Sequence, residues 1–210
     1  MEFKQEFITN QYNRPGISMT PTTLTIHSTG NPNSTAQNER DNINRPDNHD
    51  EISFHYVVDE STCIACIPPN EIAWHARNAV GNATSLALEI CESGNRVQTL
   101  QNAITATANL LKQYGWGVDN LRRHYDWSGK NCPRILIDAA YREAEYQTWD
   151  WFKGEVKKAM VQELESVNDI VWELANRGII TDKGLWLDKL QKDADAYWLA
   201  RKAVNYIRGM

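Results

Sequence analysis

The sequence lacks an apolar run long enough to cross a membrane. Hydrophobic residues make up 41% of the 210 residues, yet no run approaches the roughly 18 consecutive apolar residues that a spanning helix needs. The N-terminal stretch MEFKQEFITNQYNRPG interrupts its few apolar positions with charges, so it has no apolar centre of the kind found in signal peptides. We therefore expect a protein that is made in the cytoplasm without a signal peptide and has no stable association with a membrane.

The sequence also lacks an excess of positive charge and a large set of cysteines. The net charge is −5 at pH 7, which removes the usual electrostatic basis for binding nucleic acid. Four cysteines in a chain without a secretion signal do not indicate a disulfide framework, so each is either a core residue or a ligand. Cys63 and Cys66 form a C-x-x-C pair inside an apolar run, without a second such pair, which favours core packing.

Strand and helix patterns alternate over the first three quarters of the chain. The segment before Pro21 is expected to be a loop. Apolar runs rich in β-branched residues predict four strands, the middle two joined as a hairpin, over residues 22–30, 52–59, 63–68 and 85–93. Helical spacing predicts three helices, the first capped by Ser34 or Thr35, over residues 36–45, 96–115 and 133–160.

The character of the chain changes at about residue 161, where strand patterns stop. Three short helical patterns follow, with apolar positions at Val167, Ile170, Val171 and Leu174, then at Leu185, Trp186 and Leu190 after a cap at Thr181, then at Ala196, Leu199, Ala200, Ala203, Val204 and Ile207. We therefore predict an α/β domain over residues 1–160 and a small all-α module over residues 161–210. Trp172, Trp186 and Trp198 suit the core of that module as well as a role in attachment.

Three residues of metal-binding type lie at strand ends or in connecting loops. His27 ends the first predicted strand, and His124 and Cys132 lie eight positions apart in HYDWSGKNCP. A catalytic zinc site commonly takes three protein ligands and leaves a fourth position open. From spacing alone, a loop histidine and an unrelated buried cysteine are the more common explanation of this pattern, so both interpretations stand.

Two charged residues accompany these three. Glu89 is an isolated acid inside the apolar strand SLALEICES, where burial is costly unless the carboxylate has a partner or faces a cleft. It is either a proton carrier beside a metal or one half of a buried ion pair. Lys130, two positions before Cys132, is either a cation that stabilises an oxyanion or a solvated loop lysine.

The motifs together resemble a known enzyme family. TLTIHSTG, FHYVVDE, IAWHA, SLALEIC and HYDWSGKNCPRIL occur in the order and approximate spacing of the zinc-dependent type 2 N-acetylmuramoyl-L-alanine amidases, which include phage endolysins, the lysozyme-like amidases and the peptidoglycan recognition proteins. The resemblance covers roughly residues 15–158. It implies a central mixed β-sheet flanked by helices, with a Zn²⁺ site in an open groove.

The resemblance also implies roles for individual residues. The zinc ligands would be His27, His124 and Cys132, the catalytic acid Glu89, and the transition-state cation Lys130. Three further residues are expected at the substrate, namely His75, Trp74 and Phe54, although Trp74 is as well suited to packing. Phe54 stands where some phage members carry a catalytic tyrosine and has no proton to give. His55 is interpreted as a core residue or as the hydrogen-bonding partner of a ligand histidine.

The activity implied by the resemblance is hydrolysis of peptidoglycan at the amide between N-acetylmuramic acid and L-alanine. Zn²⁺ would activate water, Glu89 would relay the proton and Lys130 would hold the oxyanion. The expected partner is the cell wall, reached after release from the cytoplasm, and the C-terminal module is similar to helical wall-targeting modules of lysins. Two alternatives are a non-catalytic peptidoglycan-binding protein and an amidase that acts on soluble muropeptides.

Overall fold

The computed structural model describes residues 1–193, 196–197, 199–201 and 203–204, without the side chains of residues 161–166. The chain divides into two compact units, Met1–Lys157 and Lys158–Met210. Within the described residues, none of the helices combines the length and the apolar character that crossing a bilayer requires.

The first unit is built on one six-stranded sheet. The strands are β1 (Glu2–Gln5), β2 (Thr23–Ser28), β3 (Tyr56–Val58), β4 (Thr62–Ala65), β5 (Ser85–Ile90) and β6 (Leu121–Arg123). Their order across the sheet is β1-β4-β3-β5-β2-β6. The β3 and β4 strands are antiparallel, whereas the other neighbours pair in parallel. The predicted mixed sheet and its hairpin are therefore confirmed.

Helices lie between the strands in the sequence and follow the last strand. They are α1 (Ala36–Asn44), α2 (Ala79–Thr84), α3 (Arg96–Gln113), α4 (His124–Ser128), α5 (Arg134–Ile137), α6 (Trp149–Asn176) and α7 (Lys183–Lys192). The α1 helix starts as predicted, because the Thr35 hydroxyl accepts a hydrogen bond from the Asn38 amide at 3.3 Å. Apolar residues recur at helical spacing along α3, and Leu100, Ile104, Ala108 and Leu111 are buried, whereas Val97 is exposed.

Two predictions about secondary structure were wrong. The N-terminal segment is not all loop, because β1 pairs with β4 and forms one edge of the sheet, with Phe3 opposite Cys63. The region 133–160 is not one helix: α5 ends at Ile137, a 3₁₀ turn follows over Ala139–Tyr141, and α6 begins only at Trp149. The side chain of Asp138 accepts the Ala140 amide at 3.0 Å, which offers the backbone an alternative to continuing α5.

The core lies against both faces of β2 and β5, two neighbouring interior strands. Every residue of β2 is buried, and all of β5 except Glu89 is buried, as expected for strands covered on both sides. One buried cluster beside the sheet includes Phe54, Cys66 and Cys91. Cys63 is buried as well, so the core interpretation of the C-x-x-C pair is confirmed.

The second unit has its own small core. Its buried members come from the C-terminal part of α6, from the connection to α7, from α7 and from the helical residues beyond it, and are Val167, Ile170, Val171, Leu174, Ile180, Leu190, Ala200 and Val204. Asp182, rather than Thr181, caps α7 by accepting the Leu185 amide at 2.9 Å. Trp186 packs against this core, whereas Trp172 is 56% exposed. Trp198 and Ile207 lie outside the described residues.

Candidate metal centre and active site

His27 occupies the carboxyl end of β2, in the middle of the sheet. The strand pairs in parallel with β5, and the register sets His27 directly opposite Glu89. Parallel sheets place their functional side chains at this end of the strands. The His27 side chain is buried, with Nδ1 3.8 Å from the Cys132 sulfur and Nε2 3.0 Å from Nδ1 of His75.

His124 and Cys132 approach His27 from the side of β2 that pairs with β6, because both residues follow the end of β6. The β6 strand pairs with β2 and leads directly into α4, whose first residue is the buried His124. Gly129 ends α4 with a φ of +72°, a left-handed conformation that suits glycine. The chain then turns back, and the Tyr125 amide donates a hydrogen bond to the Cys132 carbonyl at 3.0 Å.

The three side chains form a compact set of ligand atoms. One nitrogen from each of His27 and His124 and the Cys132 sulfur all lie within 4.8 Å of one another. Neither ring nitrogen of His124 has a hydrogen-bond partner among the described residues, although both are buried. Buried polar atoms are rarely left without a partner. The unsatisfied His124 nitrogens therefore fit a site that receives a cation.

The protonation chemistry of these residues also suits a metal ion. Burial lowers the pKa of His27 well below its usual value, and it lowers the pKa of His124 to about 4. Both rings are therefore neutral at pH 7 and keep a free lone pair. Burial raises the pKa of the Cys132 thiol to about 12, so its thiolate requires a cation at the sulfur. Two histidines and one cysteine are a donor set that binds zinc.

Glu89 lies at the edge of this cluster. One carboxylate oxygen, Oε1, is 3.8 Å from Nδ1 of His27, and the other, Oε2, has no hydrogen-bond partner among the described residues. Burial, with like charge from Glu39 and Glu92, raises the pKa of Glu89 to about 8, although Lys130 opposes the rise. The side chain keeps 18% of its surface exposed. A carboxyl group of this kind can both accept and deliver a proton near neutral pH.

Lys130 is an exposed residue of the loop between α4 and Cys132. Its positive charge lowers the pKa of Glu89 and of His124. The ammonium group therefore lies close enough to act on charge that develops at the cluster. It forms no ion pair with any residue that the structure describes, so it remains able to meet an anionic group of a ligand.

Two of the residues expected at the substrate are buried. Phe54 is only 4% exposed and belongs to the core cluster beside the sheet. His75 is 6% exposed, and its two ring nitrogens contact His27 and the Ser85 carbonyl. The contact of both residues with substrate stays a prediction. Trp74 is half-buried, and its contact with substrate stays a prediction.

His55 is a core residue and does not touch the ligand histidine His27. Its Nδ1 accepts the Ala87 amide at 3.0 Å, and its Nε2 donates to the Glu71 carbonyl at 2.8 Å. This satisfies both nitrogens and ties β5 to the segment before His75. The hydrogen-bonding partner of His27 is instead His75, a residue that was expected at the substrate.

Sequence reasoning missed a clamp that joins three segments of the site. The buried Glu92 carboxylate accepts a hydrogen bond from the Gly30 amide at 3.1 Å and forms two-pronged contacts with Arg134, the shortest of them 2.6 Å. Gly30 follows His27, and Arg134 follows Cys132, so the clamp holds both ligand segments at the end of β5. The available signal was an acid just beyond the strand and an arginine just beyond the cysteine.

The segments that match known proteins include every residue of this candidate site. The family model for N-acetylmuramoyl-L-alanine amidase matches residues 17–135, which is more than half of the chain. N-acetylmuramoyl-L-alanine amidase CwlA of Bacillus subtilis (strain 168) is 41% identical over 126 residues, which are 56% of this chain and 45% of CwlA. XlyB of the same organism, also an N-acetylmuramoyl-L-alanine amidase, is 38% identical over 145 residues, which are 65% of this chain and 42% of XlyB.

A solved structure agrees with this assignment. The catalytic domain of XlyA, a Bacillus subtilis protein, superposes with a TM-score of 0.66 at 33% identity, and the alignment covers 74% of this chain and 99% of that domain. The chain spans about half the length of the curated relatives CwlA and XlyB. All five residues of the candidate centre, His27, Glu89, His124, Lys130 and Cys132, fall inside the matched segment. The chain therefore belongs to the N-acetylmuramoyl-L-alanine amidase family.

Proposed function

We propose that this chain hydrolyses the amide bond between N-acetylmuramic acid and L-alanine in peptidoglycan, with zinc held by His27, His124 and Cys132, and so lyses bacterial cell walls. The observation that carries the proposal is the buried set of three ligand atoms within 4.8 Å of one another, beside a carboxyl group, in a member of this amidase family. Zinc bound there would supply a Lewis acid that polarises the scissile carbonyl and acidifies water.

In this proposal Glu89 moves the proton. Its Oε1 lies 3.8 Å from Nδ1 of His27, at the edge of the ligand set, and its Oε2 is free of hydrogen-bond partners among the described residues. A pKa raised to about 8 makes the carboxylate a stronger base than an exposed glutamate. Glu89 accepts a proton from the attacking water and returns it to the amine of L-alanine as the amide bond breaks.

Lys130 acts on charge in the same step. Attack on the amide carbonyl places negative charge on its oxygen, and a nearby ammonium group stabilises that oxygen more than it stabilises the neutral substrate. Lys130 is exposed and shifts the pKa values of Glu89 and His124. These observations support Lys130 as the cation that holds the oxyanion, with Trp74 as a candidate contact for the glycopeptide.

The decisive experiment identifies the new chemical group that appears when the purified protein acts on purified sacculi. An amidase exposes the amino group of L-alanine without new reducing sugar ends. New reducing ends would indicate a glycosidase, and amino groups from other residues would indicate a peptidase, so either result contradicts the proposal. Binding to sacculi without any product would favour the non-catalytic alternative. Cleavage confined to soluble fragments would favour an enzyme that acts on muropeptides.

We assign catalysis to residues 1–160 and wall attachment to residues 161–210. The separate core of the second unit supports a module with its own task. A variant that ends at residue 160 is expected to cleave soluble muropeptides but to sediment less with sacculi than the full chain. A second arm uses Trp172→Ala in the full chain, since this exposed ring, with the Lys183 ammonium 3.4 Å from its centroid, lies outside the module core. Equal sedimentation of all three proteins would contradict the assignment.

A further inference from the structure

A buried chain of hydrogen bonds runs from a backbone carbonyl to His27. Nε2 of His75 lies 3.1 Å from the carbonyl oxygen of Ser85, and Nδ1 of His75 lies 3.0 Å from Nε2 of His27. His75 is 6% exposed and His27 is 1% exposed. The three groups therefore form hydrogen bonds with one another and not with bulk water.

The chemistry of the carbonyl fixes the direction of these bonds. A carbonyl oxygen only accepts, so Nε2 of His75 must carry the hydrogen. A neutral imidazole has one N–H, so Nδ1 of His75 is the acceptor, and Nε2 of His27 must donate to it. A doubly protonated His75 would be a buried cation, and neither of its two hydrogen-bond partners is an acid.

The same sequence of bonds decides which nitrogen of His27 keeps its lone pair. Because Nε2 carries the hydrogen, Nδ1 is bare. Nδ1 is also the atom that faces the cluster, at 3.8 Å from the Cys132 sulfur and 3.8 Å from Glu89 Oε1. We propose that His75 is a positioning residue that, through the Ser85 carbonyl, locks His27 in the Nε2–H tautomer so that Nδ1 is presented to the metal ion.

The backbone around this chain is pinned on both sides. The side-chain oxygen of Asn82 accepts the amide hydrogens of His75 and Ala76, at 3.0 and 2.8 Å. Ser85 begins β5, and its hydroxyl lies 2.7 Å from that of Thr25 on β2, the strand that carries His27. His27, His75 and Ser85 thus belong to segments that hydrogen bonds tie together. A hydrogen-bonding partner of this kind orients a ligand histidine and raises its basicity.

The first test reads the tautomer directly in the full chain. Two-bond ¹H–¹⁵N correlation spectra of ¹⁵N-histidine-labelled, metal-free protein are expected to show His27 protonated at Nε2 and bare at Nδ1, and His75 the same. A scalar coupling between Nε2 of His27 and Nδ1 of His75 is expected across their hydrogen bond. A His27 ring protonated at Nδ1 would overturn the proposal.

The second test measures zinc affinity by competition with a chromogenic chelator. His75→Phe removes the acceptor, and we expect zinc affinity to fall roughly 10- to 100-fold, the usual cost of losing such a partner. His75→Asn keeps an oxygen near the position of Nδ1 and is expected to retain most of the affinity. His55→Phe is the matched control, because His55 is equally buried but does not bond to His27, and its zinc affinity should stay at the wild-type value.

The two tests separate this inference from the proposed function on which its metal part rests. If the wild-type chain binds no zinc, the proposed function fails, yet the tautomer in the metal-free protein is still measured. If zinc binds and His75→Phe leaves its affinity unchanged, the positioning role is wrong while the proposed function stands. Should His75→Phe fail to fold, the spectra of the wild-type chain and the affinity of His75→Asn still decide the question.

Discussion

His27 and Glu89 face each other across neighbouring parallel strands, and their side chains approach to 3.8 Å between Nδ1 and Oε1. This pairing places an imidazole ring, which can bind a metal ion, next to a carboxyl group of raised pKa. The candidate ligand and the proposed proton carrier are thus held by the same hydrogen-bonded ladder. Their separation is set by strand register and not by a mobile loop.

The first prediction concerns the metal. Cys132→Ala removes one of three ligand atoms, and purified protein is expected to fall from about one zinc per chain to a small fraction of that in elemental analysis. Cys91→Ala is the matched control, because Cys91 is equally buried but belongs to the core cluster. Zinc retained at the wild-type level by Cys132→Ala would sink the ligand assignment.

The second prediction concerns the proton carrier. Glu89→Gln keeps the shape of the side chain but cannot take up a proton, so we expect turnover of sacculi to fall about 10²- to 10⁴-fold. Zinc content and the urea midpoint should stay close to wild type, because the carboxylate is not one of the three ligands. Glu60→Gln, a change at an exposed acid that contacts the Asn95 amide, is the control and should keep full turnover. Normal turnover in Glu89→Gln would move the general base to another residue.

The third prediction concerns the loop cation. Lys130→Met removes the charge from an exposed side chain, and kcat is expected to fall about 10²- to 10³-fold, as for loss of one oxyanion donor. Stability should change by no more than about 0.5 kcal/mol, since the site is on the surface. Lys157→Met serves as the exposed-lysine control. A rise in KM alone, with kcat intact, would instead assign Lys130 to ground-state binding.

The fourth prediction concerns stability in acid. Arg14 binds Glu71 through two contacts of 2.8 Å, and this hydrogen bonding lowers the pKa of Glu71 below its usual 4.5. A carboxyl group whose pKa is lower in the folded than in the unfolded chain stabilises the fold at pH values above its unfolded pKa. That contribution is lost as the pH falls through its folded pKa. Glu71→Gln should therefore cost about 1 to 2 kcal/mol at pH 7 and less at pH 3.

Urea unfolding at both pH values measures this difference. Asp47→Asn is the control, because its pairing with Arg45 is fully exposed and should contribute little at either pH. A Glu71→Gln cost that is the same at pH 3 as at pH 7 would show that the carboxylate charge is not what stabilises this contact.

Much of the sheet could be predicted from sequence, because strands buried on both faces are rich in apolar and β-branched residues. The run that became β5 is nearly all apolar, so Glu89 stood out against that background, whereas alternation and β-branched residues indicated β2. The edge strand β1 was missed because its residues Glu2–Gln5 mix charges with one phenylalanine and are mostly exposed. Edge strands carry little hydrophobic signal, since only part of their surface is covered.

The candidate site was predictable in its residue types but not in its internal contacts. The motif pattern selected His27, His124 and Cys132, and the fold brings their ligand atoms together. The resemblance assigned His75 to the substrate, and sequence spacing does not tell which way a loop side chain turns, so the contact of His75 with His27 was missed. Asn82 determines that turn by holding two successive amides, and this contact across a loop has no periodicity to detect.

The Glu92 clamp has a consequence for how the protein is made and stored. It ties the segments after His27 and after Cys132 to the end of β5 through bonds between protein groups that need no metal ion. Removing the metal with a chelator should therefore leave a folded chain that regains zinc at once, unlike small zinc domains that unfold without it. Shelf life and metal occupancy of this chain can then be adjusted independently of one another.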